Sequence, residues 1–314
     1  MNARISDRMV AQREVFGDTL LELMAQDERV YVLDGDLANS TRADKVALAR
    51  PDRFLQMGIA EQNMMGVAAG LASCGLIPWL SSFACFLANR DLDQLRVVVA
   101  QPNLGVKIGA AYSGLLTGKT GKTHQEVSDL ATMRAIPGMT VLAPADAVEA
   151  RQAMIAATYH DGPVYLRLTR DPHPVIFDES YAFALGKAVV LREGTDVTIA
   201  STGVQTVRAL EAAELLADKG ISAHVLHVPT LKPLDVEAIV AAAARTGRVL
   251  TAEDHTIVGG LGGAVSEVLG EHRPTPLKRV GIRDCFGESA GNDELLDKYG
   301  LAPAHLAAAA ASLL

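Results

Sequence analysis

Residues 61–83, EQNMMGVAAGLASCGLIPWLSSF, decide the fold because they combine one helix and one strand. After its opening glutamate, the stretch 61–74 is almost entirely small and apolar, which is typical of a helix that packs closely against its neighbours. The run IPWLSSF at 77–83 is short and nearly continuously apolar, which is typical of a strand buried on both faces. The pair predicts the alternation of strands and helices found in α/β proteins.

This alternation extends along the chain in both directions. Short apolar runs predict further strands at 29–34, 105–112, 163–170 and 196–202. The longer amphipathic segments between the strands, NRDLDQLRVVVA at 89–100 among them, predict helices. Buried strands that alternate with helices favour a mostly parallel sheet, and right-handed crossovers then favour a doubly wound domain.

One segment interrupts the alternation. RDPHPVIFDESYAFALG, at 170–186, is rich in proline and aromatic residues and predicts a linker that wraps over the surface. Strands and helices resume after it. The sequence therefore predicts two doubly wound α/β domains, a first at 10–172 and a smaller second at 189–314, joined by a linker at 173–188.

The composition narrows the function classes. The chain has 314 residues and a formal net charge of −8, which argues against a nucleic-acid surface. It shows no apolar run long enough to span a membrane and no apolar signal core near its start. The three cysteines have no metal-ligand spacing. We therefore expect a cytoplasmic protein that binds neither nucleic acid nor membrane.

Glycine and histidine motifs give weaker signals. GGLGG at 259–263 lies at the start of a predicted helix. Its glycines favour close packing of the strand against this helix, and binding of a dinucleotide phosphate is the minor alternative. His224 and His227 could form a metal pair, but strand alternation places them on opposite faces, which favours a structural role. His124 lies in a loop after a strand, where ligand contacts concentrate, and its position alone favours neither role.

Three further features each have a functional and a structural interpretation. Glu61 suits a helix N-terminus, but an acid that opens an apolar helix also suits a pocket where a proton must be held. Phe83 and Phe86 end a strand and could form a stacking platform, although core filling is the usual role. Arg170 ends another strand and could hold an anion, although a surface ion pair is favoured on the residue alone.

The chain as a whole closely resembles the C-terminal half of transketolases, most of all the second subunit of a split transketolase. The resemblance runs in order over nearly the whole chain, in the segments GIAEQNM, SFACFLANRDLDQLR, QPNLGVKIGAAYSG, THQEVSDLATMRAIPGMTVLAPADAVEA, GPVYLRLTR and VLTAEDHTIVGGLGGAVSEVL. It implies a pyrimidine-binding domain with a mostly parallel sheet, followed by the transketolase C-terminal domain. The diphosphate-binding domain of such an enzyme lies on a separate polypeptide.

The resemblance also implies thiamine diphosphate as cofactor. Glu61 then contacts N1′ of the aminopyrimidine ring, and a carboxyl in apolar surroundings stays protonated and favours the imino form. Phe83 and Phe86 pack around the same ring, although Asn89 replaces the tyrosine often found three residues later. Two further residues are expected on the cofactor side of the site: Asp36 and Ile59.

On the substrate side, the resemblance assigns Ser40 and Arg170 to the substrate phosphate and His124 to a substrate contact. The loop AAYSGLLTGKTGKTHQ departs from the family pattern, because Tyr112 and Thr120 stand where a histidine and an aspartate contact donor hydroxyls. Lys119 and Lys122 add positive charge, so a more acidic or differently placed donor group is a hypothesis.

The chain also lacks the family's metal-binding GDG motif with its distant asparagine. Magnesium ligands are therefore expected on a partner subunit and none here, with a heterotetramer as the assembly. The implied activity is transfer of a two-carbon ketol unit from a ketose phosphate to an aldose phosphate. The alternatives are the beta subunit of a 2-oxo acid dehydrogenase, a fragment similar to deoxyxylulose phosphate synthase, and a non-catalytic regulatory subunit.

Overall fold

The computed structural model describes residues 5–314, which form a seven-stranded sheet, a five-stranded sheet and a separate two-stranded pair. The strands are β1 (Met9–Ala11), β2 (Val30–Asp34), β3 (Phe54–Gln56), β4 (Ile77–Phe83), β5 (Lys107–Ala111), β6 (Thr140–Leu142), β7 (Val164–Arg167), β8 (Pro172–Pro174), β9 (Val189–Arg192), β10 (Val197–Ser201), β11 (Ala223–His227), β12 (Thr230–Lys232), β13 (Val249–Thr256) and β14 (Leu277–Ile282). The α-helices are α1 (Gln12–Gln26), α2 (Ala38–Thr41), α3 (Asp44–Ala49), α4 (Glu61–Ser73), α5 (Ala84–Leu87), α6 (Leu92–Gln94), α7 (Asp129–Ala135), α8 (Ala147–Thr158), α9 (Gln205–Ala217), α10 (Val236–Thr246), α11 (Leu261–His272), α12 (Asn292–Lys298) and α13 (Pro303–Ala311).

The larger sheet has the order β12-β6-β7-β5-β4-β2-β3, and every pair in it is parallel except β12 with β6. Its central strands are buried because helices cover both faces. One face packs on α1 and α8, where Phe16 meets Trp79 edge to face with ring centroids 6.0 Å apart. The other face packs on α4 and α7.

The smaller sheet has the order β14-β13-β10-β11-β9, with only β9 antiparallel to its neighbour. Helices α9 and α13 cover one face, and α10 and α11 cover the other. The prediction of two α/β domains with mostly parallel sheets is therefore confirmed. Among residues 5–314, no helix is both long and apolar enough to cross a membrane.

The junction between the domains differs from the expectation of a surface linker. Val175, Ile176 and Phe177 are buried, because their side chains fill the space between the two sheets' helices. The backbone N–H groups of Ile176 and Phe177 donate to the buried Asp146 carboxylate at 2.7 and 2.9 Å. The segment thus lies partly inside the core, and its exposed residues are Pro172, 178–180, Ala182 and Ala184.

Two other features were not expected. Strand β12 lies in the second half of the chain but pairs with β6, so the larger sheet draws on both halves. The segment predicted as one helix at 89–100 is instead α6 followed by π-helical turns over Leu95–Ala100. The boundaries at 10–172, 173–188 and 189–314 stay a prediction.

A buried polar network fixes how the two halves meet. Glu149 on α8 accepts a hydrogen bond from the Tyr181 hydroxyl at 2.6 Å and lies 2.7 Å from Nε2 of His227 on β11. All three side chains are buried, so breaking the network would leave unpaired polar groups in the core. His224 lies instead near Glu193, at 3.5 Å, and the two histidines form no pair.

Candidate active site at the carboxyl ends of the larger sheet

The candidate residues gather at one edge of the larger sheet. In a parallel sheet the loops after neighbouring strands meet at the carboxyl edge, which is where α/β proteins bind ligands. Strands β3, β2, β4, β5 and β7 are consecutive neighbours there. The residues that follow or end them are, in the same order, Glu61, Asp36 with Ser40, Phe83 with Phe86, Tyr112 with His124, and Arg170.

Glu61 is the first residue of α4 and is only 2% exposed, but its surroundings are not purely apolar. Nη1 of Arg90 donates to both carboxylate oxygens, at 2.9 and 3.1 Å. The surroundings of Glu61 in the chain by itself therefore differ from the purely apolar ones that were expected, because they include a guanidinium.

Arg90 also joins Glu61 to the aromatic residues. Its guanidinium carbon lies 3.8 Å from the ring centroid of Phe86, a cation–π contact. Asp91, the next residue, is completely buried, and burial raises the pKa of its carboxyl well above the usual range. Within the described part of the chain, neither of its carboxyl oxygens has a hydrogen-bond partner.

The aromatic platform consists of Phe83, Phe86 and Tyr112, and His124 lies beside it. Phe83 stacks on Tyr112 with centroids 3.9 Å apart and on Phe86 at 5.9 Å. The ring of His124 stands edge-on to Phe83 and Phe86, at 6.0 and 5.6 Å. The expected stacking surface and the expected substrate histidine therefore lie in direct contact.

Tyr112 has a backbone φ of 57°, a conformation that a bulky residue rarely adopts. Such strain is found preferentially at functional sites. The Tyr112 hydroxyl accepts a hydrogen bond from Nη1 of Arg13 at 3.0 Å, and the same nitrogen donates to the Ser40 carbonyl at 3.0 Å. The guanidinium carbon of Arg170 lies 5.4 Å from the Tyr112 ring centroid. Arg13 thus joins Ser40 to Tyr112, whose ring also contacts Arg170.

The remaining predicted residues lie at the margins. Ile59 is 73% exposed and borders a cavity of about 380 Å³ together with Glu61 and Arg90. Asp36 is exposed, and its backbone N–H donates to the Gln56 side chain at 3.2 Å. Thr120 lines another cavity together with Arg170, and its hydroxyl lies 2.6 Å from that of Thr117.

Sequence reasoning missed two arginines of the site. Arg90 could have been found, because it follows Phe86 by four residues and a helical turn brings such positions together. Arg13 gave no local signal, since it lies on α1, 27 residues before Ser40, and reaches the site only through the fold.

The glycines of GGLGG serve close packing, as favoured from the sequence. The Glu253 carboxylate accepts hydrogen bonds from the backbone N–H groups of Leu261 and Gly262 at 2.7 and 2.8 Å. The N-terminus of α11 is therefore already occupied by an internal anion, which leaves it unsuited to a phosphate. A side chain at Gly260 would collide with the same carboxylate.

No group of three or more His, Cys, Asp and Glu side chains in residues 5–314 is placed to hold a metal ion. The site within this chain therefore consists of one buried acid, an aromatic platform, one histidine and three arginines.

Two protein-family descriptions match the chain: "Transketolase, pyrimidine binding domain" over residues 8–174 and "Transketolase, C-terminal domain" over residues 186–306. Among curated proteins, the 6-deoxy-6-sulfo-D-fructose transketolase subunit SqwH of a Clostridium species is 46% identical over 298 residues, covering 95% of this chain and 92% of that protein. A subunit of the apulose-4-phosphate transketolase of Phocaeicola vulgatus is 38% identical over 298 residues, covering 95% of each.

A solved structure described as "Split gene transketolase, inactive beta4 tetramer" is similar to the whole chain. Its TM-score is 0.90 and its sequence identity 46%, over 97% of this chain and 98% of that one.

Proposed function

The chain belongs to the transketolase family, and from that premise we propose that it is one subunit of a split transketolase. In this proposal it transfers a two-carbon ketol unit from a ketose phosphate to an aldose phosphate. Thiamine diphosphate binds at the interface with a partner subunit that carries the diphosphate-binding domain. The names of both similar subunits include an acidic group, sulfo in one and phosphate in the other, which supports an anionic sugar as substrate.

One observation carries the proposal: an unbroken series of contacts from a buried acid to an arginine. Glu61 pairs with Arg90, Arg90 lies on Phe86, Phe86 stacks on Phe83, Phe83 stacks on Tyr112, and Tyr112 meets Arg170. The aromatic ring of a cofactor at the Glu61 end and the oxyanion of a substrate at the Arg170 end would match this series.

The residues present fit the aminopyrimidine half of thiamine diphosphate. The faces of Phe83 and Phe86 suit a flat ring, and the nearly buried Glu61 suits a ring nitrogen. When bound, the cofactor supplies a nucleophilic thiazolium carbon that takes up the ketol unit. Glu61 would hold a proton between its carboxyl oxygen and that ring nitrogen. For this, the half-exposed Arg90 side chain has to release one of the two oxygens that it contacts.

The substrate residues lie at the other end of the series. In the proposal, Arg170 and Ser40 bind the terminal oxyanion, since guanidinium groups form strong charge-assisted hydrogen bonds with phosphate. His124 stands beside the platform, where it reaches a hydroxyl of the bound sugar. Tyr112 and Thr120 stand where ordinary transketolases have a histidine and an aspartate that contact hydroxyls of the donor sugar. In the proposal, this chain lacks those two contacts.

The diphosphate and magnesium ligands belong to the partner in this proposal, and the assembly is a heterotetramer. The similar solved structure is a tetramer described as inactive. This supports the idea that a chain of this kind needs a different subunit for activity.

The experiment is reconstitution of this chain with its N-terminal-half partner, thiamine diphosphate and magnesium, followed by assays of ketol transfer with a series of ketose phosphates. Glu61→Gln should lower kcat by at least about 100-fold. The matched control is Glu271→Gln, because that glutamate is 77% exposed and remote from the site.

Near-normal turnover of the Glu61 variant would overturn the proposal. Oxidative decarboxylation of 2-oxo acids by the same complex, without ketol transfer, would instead identify the beta subunit of a 2-oxo acid dehydrogenase.

A further inference from the structure

A second groove lies at the Arg170 end of the site, between the two domains. It encloses about 480 Å³ and is lined from the first domain by the loop Thr117–Thr120 and by Arg170 and Asp171. The second domain lines the facing side with Ala290, Gly291 and Asn292. This groove, which we call the interdomain groove, begins where the contact series from Glu61 ends.

The second domain holds both walls of the groove in place. The Ser289 hydroxyl donates to the Lys119 carbonyl at 2.7 Å, and the Gln125 side chain donates to the Glu288 carbonyl at 3.0 Å. These bonds tie the glycine-rich loop to the segment before α12. The groove is therefore a fixed part of the interface between the domains.

Asn292 is connected to Arg170 through a carboxylate. Nδ2 of Asn292 donates to Oδ2 of Asp171 at 2.7 Å, and Nη1 of Arg170 donates to Oδ1 of the same carboxylate at 2.6 Å. The asparagine thus holds the Asp171 carboxylate through the oxygen that Arg170 does not contact. The exposed Lys119 adds a second positive charge to the lining.

The hydrogen bonding of this cluster is incomplete in the described part of the chain. Nε of Arg170 and Oδ1 of Asn292 are buried and have no partner. An unpaired buried donor and acceptor cost free energy, which a ligand recovers when it supplies the missing groups. An oxyanion with a neighbouring hydroxyl supplies both an acceptor and a donor.

We propose that Asn292 is a positioning residue, which holds Asp171 and, through it, orients Arg170 towards the donor oxyanion in the interdomain groove. The second domain thereby takes part in binding the donor. This inference rests on the proposed function, because it concerns the donor of the same reaction.

The binding test uses the full chain without its partner. Phosphorus NMR titration with D-fructose 6-phosphate should show binding that weakens at least about fivefold in Asn292→Asp and in Lys119→Ala. Asn292→Asp keeps the side-chain size and suits a helix N-terminus, but its carboxylate repels Asp171. Asp293→Asn, on the exposed next residue, is the matched control and should bind as the wild type does. Equal affinities in all four proteins, or no binding by the wild type, would overturn the inference.

The kinetic test uses the reconstituted complex. Asn292→Ala should raise KM for D-fructose 6-phosphate about tenfold and leave kcat within about twofold, because it disturbs an anion contact remote from Glu61. The KM for L-erythrulose, a ketose without an oxyanion, should not change. Equal effects on both donors would show a merely structural role and overturn the inference.

The failures of the two proposals are distinguishable. If the complex transfers no ketol unit but the binding differences appear, the proposed function fails and the groove stands. If ketol transfer occurs but the Asn292 variants change neither KM nor affinity, the groove fails and the proposed function stands.

Discussion

Replacing Arg90 with alanine should reveal how much its contact with Glu61 stabilises the chain without cofactor. Nη1 of Arg90 makes two contacts with the Glu61 carboxylate, at 2.9 and 3.1 Å. Removing the arginine leaves the nearly buried Glu61 side chain without this partner.

The exposure of the two side chains sets the magnitude. Breaking a fully buried ion pair costs about 3–5 kcal/mol, whereas an exposed pair contributes less than about 1 kcal/mol. Glu61 is 2% exposed and Arg90 is 44% exposed, so solvent screens this pair in part. We expect Arg90→Ala to lower the free energy of unfolding by about 2 kcal/mol, of which about 0.5–1 kcal/mol comes from the lost contact with Phe86.

A double-mutant cycle separates the two contributions. Arg90→Ala and Glu61→Gln are made singly and together, and the coupling energy should be about 1–2 kcal/mol. Urea unfolding at fixed protein concentration can be followed by fluorescence of Trp79, the one tryptophan, which is completely buried in the first domain. A cycle on the surface pair Arg96 and Asp93, which are 62% and 71% exposed, is the matched control and should give less than about 0.5 kcal/mol.

A coupling energy below about 0.3 kcal/mol for Arg90 and Glu61 would refute this reasoning. The contact between Arg90 and Glu61 would then stabilise the chain no more than an exposed surface pair does.

Three further predictions test the loop, the domain junction and the pH dependence. Tyr112→His combined with Thr120→Asp should shift the ratio of kcat/KM between donors in the reconstituted complex, and an unchanged ratio would show that this loop does not set donor preference. Gly114→Ala should lower the urea midpoint by the equivalent of at least about 2 kcal/mol, because Gly114 has a φ of 77° and a side chain there collides with a second-domain carboxylate; Gly66→Ala, on an open helix face, should not destabilise the chain. Burial, and secondarily a nearby arginine, lowers the pKa of His173 to about 3 in the folded chain, from the ordinary histidine value of about 6.5. Between these two pH values His173 is therefore protonated in the unfolded chain but not in the folded chain. Stability should therefore fall from pH 6.5 towards pH 3 more steeply in the wild type than in His173→Leu, and parallel urea-midpoint curves would contradict this.

The sheet edge could be predicted from the sequence because each strand there is a short apolar run that ends in a chemically distinct residue. The run IPWLSSF ends at Phe83 and PVYLRLTR ends at Arg170, and both strands lie where the alternation predicted. Parallel strands bring their carboxyl ends together whatever their order, so the residues could be grouped without knowledge of the topology.

The features that escaped prediction depend on contacts between distant segments. Strand β12 has only three residues and pairs with β6 across the junction between the domains, so no local periodicity marks it. The prolines of 170–186 suggested a surface path, but Ile176 and Phe177, which follow them, occupy a buried site that only the assembled domains provide. Arg13 reaches the site for the same reason.

The two ends of the site are completed by different neighbours. At the Arg170 end, the second domain supplies Asn292 and fixes the glycine-rich loop, so the chain itself provides both walls. At the Glu61 end, the cavity is bordered by the 73% exposed Ile59 and by a half-exposed Arg90, so its outer wall faces solvent. A partner that covers Ile59 would close this end and exclude water from the cavity beside Glu61. The Glu61 end is therefore expected to depend on assembly with the proposed partner, whereas both walls of the interdomain groove at the Arg170 end lie within this chain.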